Sequence, residues 1–486
     1  MHLSLDCAAR AANAALAEGF RGIPVTSVAT DSRKAVPGTL FVCIPGERVD
    51  GHDYAESAAA KGACAVLAQH PLPAFAARRP DVPVLVVADS VKALGQVAHA
   101  WRRTFAGKVV GLTGTAGKTT VKELLASVLS LAGKTAKTEM NHNNQIGMPQ
   151  AMLAAEGDER FWVMEAGISH AGDMDELGQI MTPDLGIVLN AGTGHTEGLG
   201  REGVAWHKTR LFRHLAPGAQ AIASADYPEL ARCAREACPS VKFFSARLSL
   251  DDPGAPAGLA CTAREEGADD RGSVYRIALA AEGGQPASAF VCHAPLRGES
   301  GAENCAAVAL ASRLLGVDDD TIARGIEGAV LPPQRFRRYD CGRLRLVDDS
   351  YNANPLSMGR MLDAAAEEAC RFKQGALALV LGEMRELGVE AQSCHRELGR
   401  HIARLRPLAV FWKGGMAAEV AEGMREGGCP VPLEPVADFG EFEARFKAFL
   451  DACPAPEGAC VLFKGSHSNE LEKAVACAER LAGERD

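Results

Sequence analysis

The sequence predicts a three-domain α/β protein, on three observations. At ~150 residues per domain, 486 residues amount to about three domains. Strand-like apolar runs alternate with helix-like amphipathic stretches along nearly the whole chain, the order of α/β architecture. Two breaks divide that rhythm, one after the first ~90 residues, where an amphipathic stretch leads into KVVGLTG, and one at Pro332-Pro333. The expected domains are therefore 1–90, 91–331 and 332–486.

Taken in order, the first domain offers LFVCIPG, ACAVLAQ and VPVLVVAD as strands, and the amphipathic stretch Val91 to Phe105 leads out of it. The second has the stronger βα rhythm, interrupted by DDPGAPAGLA and EEGADDRGS, whose Gly, Asp and Pro predict loops and short strands. Pro332-Pro333 ends a helix and opens the strand LRLVDD. The last third carries ALALVLG, LAVFWKG and CVLFKG, again separated by helical patterns, and no internal repeat is present.

Composition excludes several classes. With 47% hydrophobic and 23% charged residues the chain is too apolar to be disordered. A formal charge of -9 argues against a nucleic-acid binder, which needs a basic face. No apolar run approaches the ~18 residues of a membrane span, and MHLSLDCAARAANAAL lacks a basic n-region followed by an apolar core. Fifteen cysteines with no CxxC pair suit buried thiols in a reducing compartment better than a disulfide framework or zinc cluster. A cytoplasmic protein is expected.

The segment KVVGLTGTAGKTTVKELLASVLSLAG carries the most chemistry. Val109, Val110 and Leu112 form a strand, and Val121, Leu124, Leu125, Val128 and Leu129 recur on one helix face. Between them lies the turn Gly114-Thr115-Ala116-Gly117-Lys118-Thr119-Thr120. A strand, a Gly-rich turn and a helix N-terminus form an anion cradle from backbone N–H groups and the helix dipole. Lys118 would reach the β- and γ-phosphate oxygens of ATP, and the Thr119 hydroxyl would ligate magnesium. Leu112 stands where the longer G-x-x-x-x-G-K-[ST] pattern has its first glycine, so the turn is of the shorter G-x-x-G-K-T-T form.

Two further strands deliver candidates. FWVMEAG runs into Glu165, and LGIVLN places His195 five residues after Asn190. Ligands of open α/β sheets sit beyond the carboxyl ends of the strands. Glu165 and His195 are thus expected in the crevice of the phosphate turn, the carboxylate suited to magnesium and the imidazole to a second site. Lys208, in the helical stretch GVAWHKTRLF, reads from composition as a surface lysine. His170, Trp206 and His207 read as structural.

With these residues in place the chain resembles the Mur ligases, ATP-dependent amide-bond-forming enzymes of peptidoglycan and hence cell-wall synthesis. The resemblance spans nearly the whole chain: TDSRKAVPGTLFVCIPGERVDGHDY, GTAGKTT, NHNNQIGMP, MEAGISHAGDM, HTEGLG, DDSYNANPLSM, LGEMRELG and KGSHS occur in the family's order. It implies an N-terminal domain for a UDP-sugar peptide, a central ATPase domain with a mainly parallel sheet, and a C-terminal Rossmann-like domain. Ser32 and Arg33 would contact the uridine diphosphate end, the Asp50-Gly51-His52 turn would shape that pocket, and Asn144 would lie on the substrate side. Gly114, Thr115, Gly117, Lys118, Thr119 and Thr120 would hold ATP, with Asn304 at adenine and Arg335 at the γ-phosphate. Glu165 and His195 would hold two magnesium ions, and Lys208 would be carbamylated and help hold the second. Asp349, Asn352 and Asn354 would close over nucleotide and substrate.

DDSYNANP is similar to the family member that joins D-alanyl-D-alanine to UDP-N-acetylmuramoyl-tripeptide through an acyl phosphate; the sibling adding the third amino acid carries Asp-Asn-Pro-Arg, absent here. His195 could also take the proton of the attacking amine. The implied partners are those two small molecules, and a monomer is expected. Two positions depart from the family pattern: Ala302-Glu303 stands where Arg-His usually precedes Asn304, and His467 stands where KGS is usually followed by Arg. The alternatives are a sibling ligase with another amino acid, and a nucleotide-binding regulatory protein that has lost ligation. The regulatory alternative predicts missing lysine or metal positions, yet Lys118, Glu165, His195 and Lys208 are all present.

Overall fold

The computed structural model describes residues 1–192, 199, 202–282, 284–370, 372, 375–453 and 458–483. Three principal sheets follow one another along the chain, in the α/β order that the sequence predicts. In the first, four parallel strands, Ser27–Ala29, Thr39–Val42, Ala63–Ala68 and Val84–Val86, lie side by side in chain order. A two-stranded antiparallel ribbon, Leu3–Ser4 with Pro24–Val25, precedes it.

The central sheet has nine strands among the described residues. Six are parallel: Thr135–Lys137, Phe161–Glu165, Lys108–Thr113, Leu185–Val188, Gln220–Ser224 and Lys242–Ser245, in that spatial order. Leu259–Ala268 joins parallel to the last of these, and Ser273–Leu279 and Ser288–Ala294 continue antiparallel to the edge. The expectation of loops and short strands around EEGADDRGS is corrected here, since only 269–272 turn and the flanking residues pair as a long hairpin. The first half of Leu259–Ala268 is buried, but its second half runs out past the core with mostly exposed side chains. Nothing apolar marks that half as a strand; backbone pairing and the Arg276–Glu266 ion pair hold it.

Strands buried on both faces read as continuous apolar runs rather than alternating ones, and each face here has its own core. Helices Lys118–Ala132, Gly298–Leu314 and Asp319–Glu327 cover one face through Leu124, Val128, Ala306, Leu310 and Ile322. On the other face Trp162, Met164 and Val188 join Leu40, Leu67 and Leu85 of the first sheet in one apolar cluster, so the first sheet and the central sheet share a core. Phe105 stacks on Trp162 at 3.9 Å within it.

The third sheet begins after Pro332-Pro333. Its strands run Arg337–Cys341, Leu344–Asp348, Ala459–Lys464, Leu377–Gly382, Ala409–Lys413 and Leu433–Val436 in spatial order, the first antiparallel and the rest parallel. Helices on both faces make it a Rossmann-like layer, with separate cores around Phe411, Phe442 and Phe446 and around Leu379, Leu362 and Trp412. Among the described residues no helix is long and apolar enough to cross a membrane.

Candidate nucleotide and substrate cleft

Strands Lys108–Thr113 and Phe161–Glu165 are parallel neighbours with Leu112 opposite Glu165. That register brings the turn after the first strand beside the carboxylate that ends the second, at the carboxyl edge of the sheet. Here the central and C-terminal parts of the chain enclose a cleft of about 850 Å3, at the upper end of the ~300–1,000 Å3 of small-molecule sites.

The turn is built as an anion cradle. Gly117, the residue before the helix that starts at Lys118, has φ +80°. A Cβ there would be strained and would also lie 2.7 Å from Asn304 Oδ1, so glycine is required twice over. Asn190, two residues beyond the strand Leu185–Val188, clamps the turn by accepting from Ala116 N at 2.8 Å and donating to Ala116 O at 3.1 Å. Lys118 Nζ donates to Gly114 O at 3.0 Å. Burial lowers the Lys118 ammonium below its ordinary range and the Arg335 charge adds to this, while Glu165 opposes it. An incoming polyanion would relieve both effects.

Glu165 is 1% exposed and held on every side. Thr119 Oγ1 donates to Oε2 at 3.0 Å and Asn143 Nδ2 to Oε1 at 2.8 Å, and the Glu165 backbone N–H donates to Thr138 Oγ1 at 3.1 Å. The fully buried Lys122 brings its Nζ within 3.9 Å of Oε2. One wall thus carries a hydroxyl, a carboxylate and two ammonium groups. A hard hydroxyl–carboxylate pair beside a phosphate cradle suits magnesium, whose remaining positions water and phosphate oxygens would fill. Among the described residues no cluster of three or more His, Cys, Asp or Glu side chains forms a cage for a transition metal.

Lys208 corrects the sequence reading. It is 2% exposed, not a surface lysine, and lines the cleft. Burial, then the nearby Lys118 charge, hold its amine well below the ordinary lysine range. Composition could not show this, because the short helix Gly203–Thr209 is covered by a tertiary contact rather than by an apolar stripe of its own.

The C-terminal wall reaches across. Arg335 lies with its guanidinium 4.0 Å over the Tyr351 ring and donates to Thr119 Oγ1 at 3.4 Å. Asp349 accepts from Phe336 N at 3.0 Å and pairs with the buried Lys464, which also donates to Asn352 O at 2.9 Å. Asn354 starts helix Pro355–Ala369 with a capping box, its side chain accepting from Ser357 N at 2.8 Å. Its Nδ2 meanwhile donates to Thr115 O at 3.1 Å. Asn304 Oδ1 is buried and finds no hydrogen-bond partner among the described residues, which is costly unless a ligand supplies one.

The structure therefore gathers Thr115, Gly117, Lys118, Thr119, Thr120, Asn144, Glu165, Lys208, Asn304, Arg335, Asp349, Asn352 and Asn354 around one cleft, with the Gly114 carbonyl behind the lysine. His195 lies outside the described residues. Ser32 and Arg33 are not on this cleft; Ser32 is buried in the first domain, and Arg33 is exposed and forked onto Asp31 at 2.8 Å. Sequence reasoning missed Lys122, Asn143, Asn190 and Arg360. Lys122 was signalled by sitting four residues after Lys118 among apolar positions, and Asn190 by following a strand.

These features define a nucleotide-binding α/β protein whose cleft is completed by its C-terminal domain. The Mur ligase middle domain matches residues 112–312, the Mur ligase family catalytic domain 24–102 and the Mur ligase glutamate ligase domain 334–467. The chain is 32% identical to the UDP-N-acetylmuramoyl-tripeptide--D-alanyl-D-alanine ligase of Escherichia coli over 93% of both chains. To the protein of that name from Bacillus subtilis it is 30% identical, over 93% of this chain and 92% of that one. Among solved structures, a MurF from Acinetobacter baumannii superposes with a TM-score of 0.82 at 27% identity over 99% of both chains. MurF ligase from Thermotoga maritima in complex with ADP gives 0.77 at 25% identity, over 95% of this chain and 99% of that one. The chain belongs to the Mur ligase family.

Proposed function

We propose that the protein is an ATP-dependent amide-bond-forming ligase that joins D-alanyl-D-alanine to UDP-N-acetylmuramoyl-tripeptide, completing the pentapeptide precursor of peptidoglycan. The observation that carries this reading is a single cleft in which the phosphate turn and Glu165 face Arg335, Asp349 and Asn354 of another domain. The relatives named for this reaction span nearly the whole chain.

Condensing a carboxylate with an amine needs activation, because hydroxide is a poor leaving group. The γ-phosphoryl group of ATP passes to the tripeptide carboxylate, forming an acyl phosphate and ADP. The dipeptide amine then attacks the acyl carbon, the amide forms and phosphate leaves. The first step is mainly positioning and charge neutralisation, and two anions must meet for it. Lys118 and the backbone N–H groups of the turn hold the triphosphate from the central side, and Arg335 approaches from the C-terminal side. The stack of Arg335 on Tyr351 fixes the plane of the guanidinium. Asn304 Oδ1, without a partner among the described residues, suits the exocyclic amine of adenine.

Magnesium, when bound, neutralises phosphate charge; Thr119 and Glu165 are the residues that would hold it, and the reading retains two ions with His195 and Lys208 at the second. A buried neutral amine is the form that adds carbon dioxide: its nitrogen bonds the carbon, one proton leaves, and a carbamate anion results. The state of Lys208 supports that modification, which turns a cation poorly tolerated beside Lys118 into an anion that suits a metal. Ser32, Arg33, Asn144, Asn352 and Asn354 remain the proposed contacts to the UDP-substrate. The reading implies a monomer in the cytoplasm, where ATP is at hand and thiols stay reduced.

The test is phosphate release from ATP in magnesium with UDP-MurNAc-tripeptide, with and without D-Ala-D-Ala. Release that needs both, one phosphate per ligated product, is expected. Release answering to a single amino acid instead would make the chain a sibling ligase, and none in any combination would remove ligation altogether.

A further inference from the structure

Glu303, one of the two departures from the family pattern, is 1% exposed yet makes contacts in three directions. Ser224 Oγ donates to its Oε1 at 3.0 Å and Asn190 Nδ2 to its Oε2 at 3.3 Å. From the C-terminal domain, Arg360 pairs with the same Oε2 and also donates to the Tyr227 hydroxyl. Burial pushes the Glu303 carboxyl up, and Arg360 works against this.

The connections of these two partners give the arrangement its meaning. Asn190 is the residue that clamps both the N–H and the carbonyl of Ala116. Its Nδ2 has a second hydrogen to place, and Glu303 Oε2 is the acceptor that takes it and holds the amide from the side away from the turn. Arg360 sits on helix Pro355–Ala369, whose first residue is preceded by the Asn354 that donates to Thr115 O. One C-terminal helix therefore grips two successive residues of the phosphate turn: Thr115 directly, and Ala116 through Arg360, Glu303 and Asn190.

We propose that Glu303 is a positioning residue for the nucleotide, transmitting the seating of the C-terminal domain from Arg360 to Asn190 and so to the phosphate turn. A surface ion pair would add little, and a buried one is weak evidence for stability by itself. What this pair adds is a fixed geometry at the atoms that cradle phosphate. The proposal rests on reading the cleft as the ATP site.

The experiment is a double-variant cycle on the full chain, read by calorimetric binding of magnesium-ADP, with Glu303→Gln, Arg360→Met and the pair combined. Each single variant should weaken ADP by about tenfold, the size of an ordinary pairwise coupling, and the double variant should be no weaker than the weaker single. Melting temperature controls for folding, and Arg360→Lys, which keeps a donor for Oε2, should recover part of the loss. Losses that multiply in the double variant would overturn the proposal, as would a loss with Arg360→Met and none with Glu303→Gln, the pattern of a direct phosphate contact. Lower melting temperatures with unchanged affinity would also overturn it, leaving a purely structural pair. If the Met variant does not fold, Arg360→Ala with Glu303→Gln carries the same cycle and the same criteria. A wild-type chain without ADP affinity would overturn the reading of the cleft itself, whereas wild-type affinity with multiplying losses would overturn the coupling alone.

Discussion

Lys118→Ala is expected to abolish turnover while binding of the UDP-substrate is retained. The ammonium is the cation at the start of the helix, within the curl of the turn and 3.0 Å from the Gly114 carbonyl. Removing a preorganised group that stabilises developing charge in a closed site typically costs ~10²–10³ in rate, and in the proposed role the group also helps bind the triphosphate. A fall on the order of 10³-fold is predicted from both contributions. The fold should survive, because alanine is a good helix former and the helix is anchored by Val121, Leu124, Leu125, Val128 and Leu129, all fully buried. Turnover and UDP-substrate affinity measured on one preparation check this. Turnover close to wild type would refute the role of the lysine; loss of both together would point to misfolding.

Lys208→Ala is the second large effect. The lysine is buried, and among the described residues no anionic group acts to hold it in the ammonium form. If its function is to become a carbamate, alanine removes a negative ligand and leaves a gap of carboxylate size. Turnover should fall at least about 10²-fold, the scale of losing a charge-stabilising group in a closed site, and short carboxylic acids such as acetate or formate should restore part of it. Activity that survives unchanged, or that no short acid restores, would count against the carbamate. Packing alone would predict lower stability without rescue, so the two accounts separate in one titration.

The two lysines also show how far a sequence can be read. Lys118 was legible because its chemistry is local: strand, glycine turn, lysine, threonine and helix follow without interruption, and backbone geometry does the rest. Glu165 was legible as the end of an apolar strand, and strand register then placed it beside Thr119. Lys208 was legible only through resemblance, since its burial is created by distant chain. Glu303 and Arg360 were less visible still, because they lie 57 residues apart and a buried ion pair leaves no periodic trace. In the fold, parallel strands announced themselves as continuous apolar runs. The solvent-facing half of the hairpin strand Leu259–Ala268 did not, because its polar residues are held by backbone pairing rather than by burial.

The same contrast bears on the departures from the family pattern. Glu303 stands in a position that resemblance assigned to the adenine side, yet its carboxylate faces Asn190, Ser224 and Arg360. His467 lines the cleft with its ring centroid 5.7 Å from that of Tyr351, the residue over which Arg335 lies. Neither change alters the turn, Glu165 or Lys208.

The central claim is that γ-phosphoryl transfer activates the tripeptide carboxylate before the amine attacks. The most direct measurement uses UDP-MurNAc-tripeptide labelled with ¹⁸O in its terminal carboxylate, turned over with ATP and D-Ala-D-Ala, with the released phosphate analysed by mass. An acyl phosphate transfers one labelled oxygen to each phosphate released, and that is the result predicted. Phosphate carrying no label, released in step with ligated product, would contradict it.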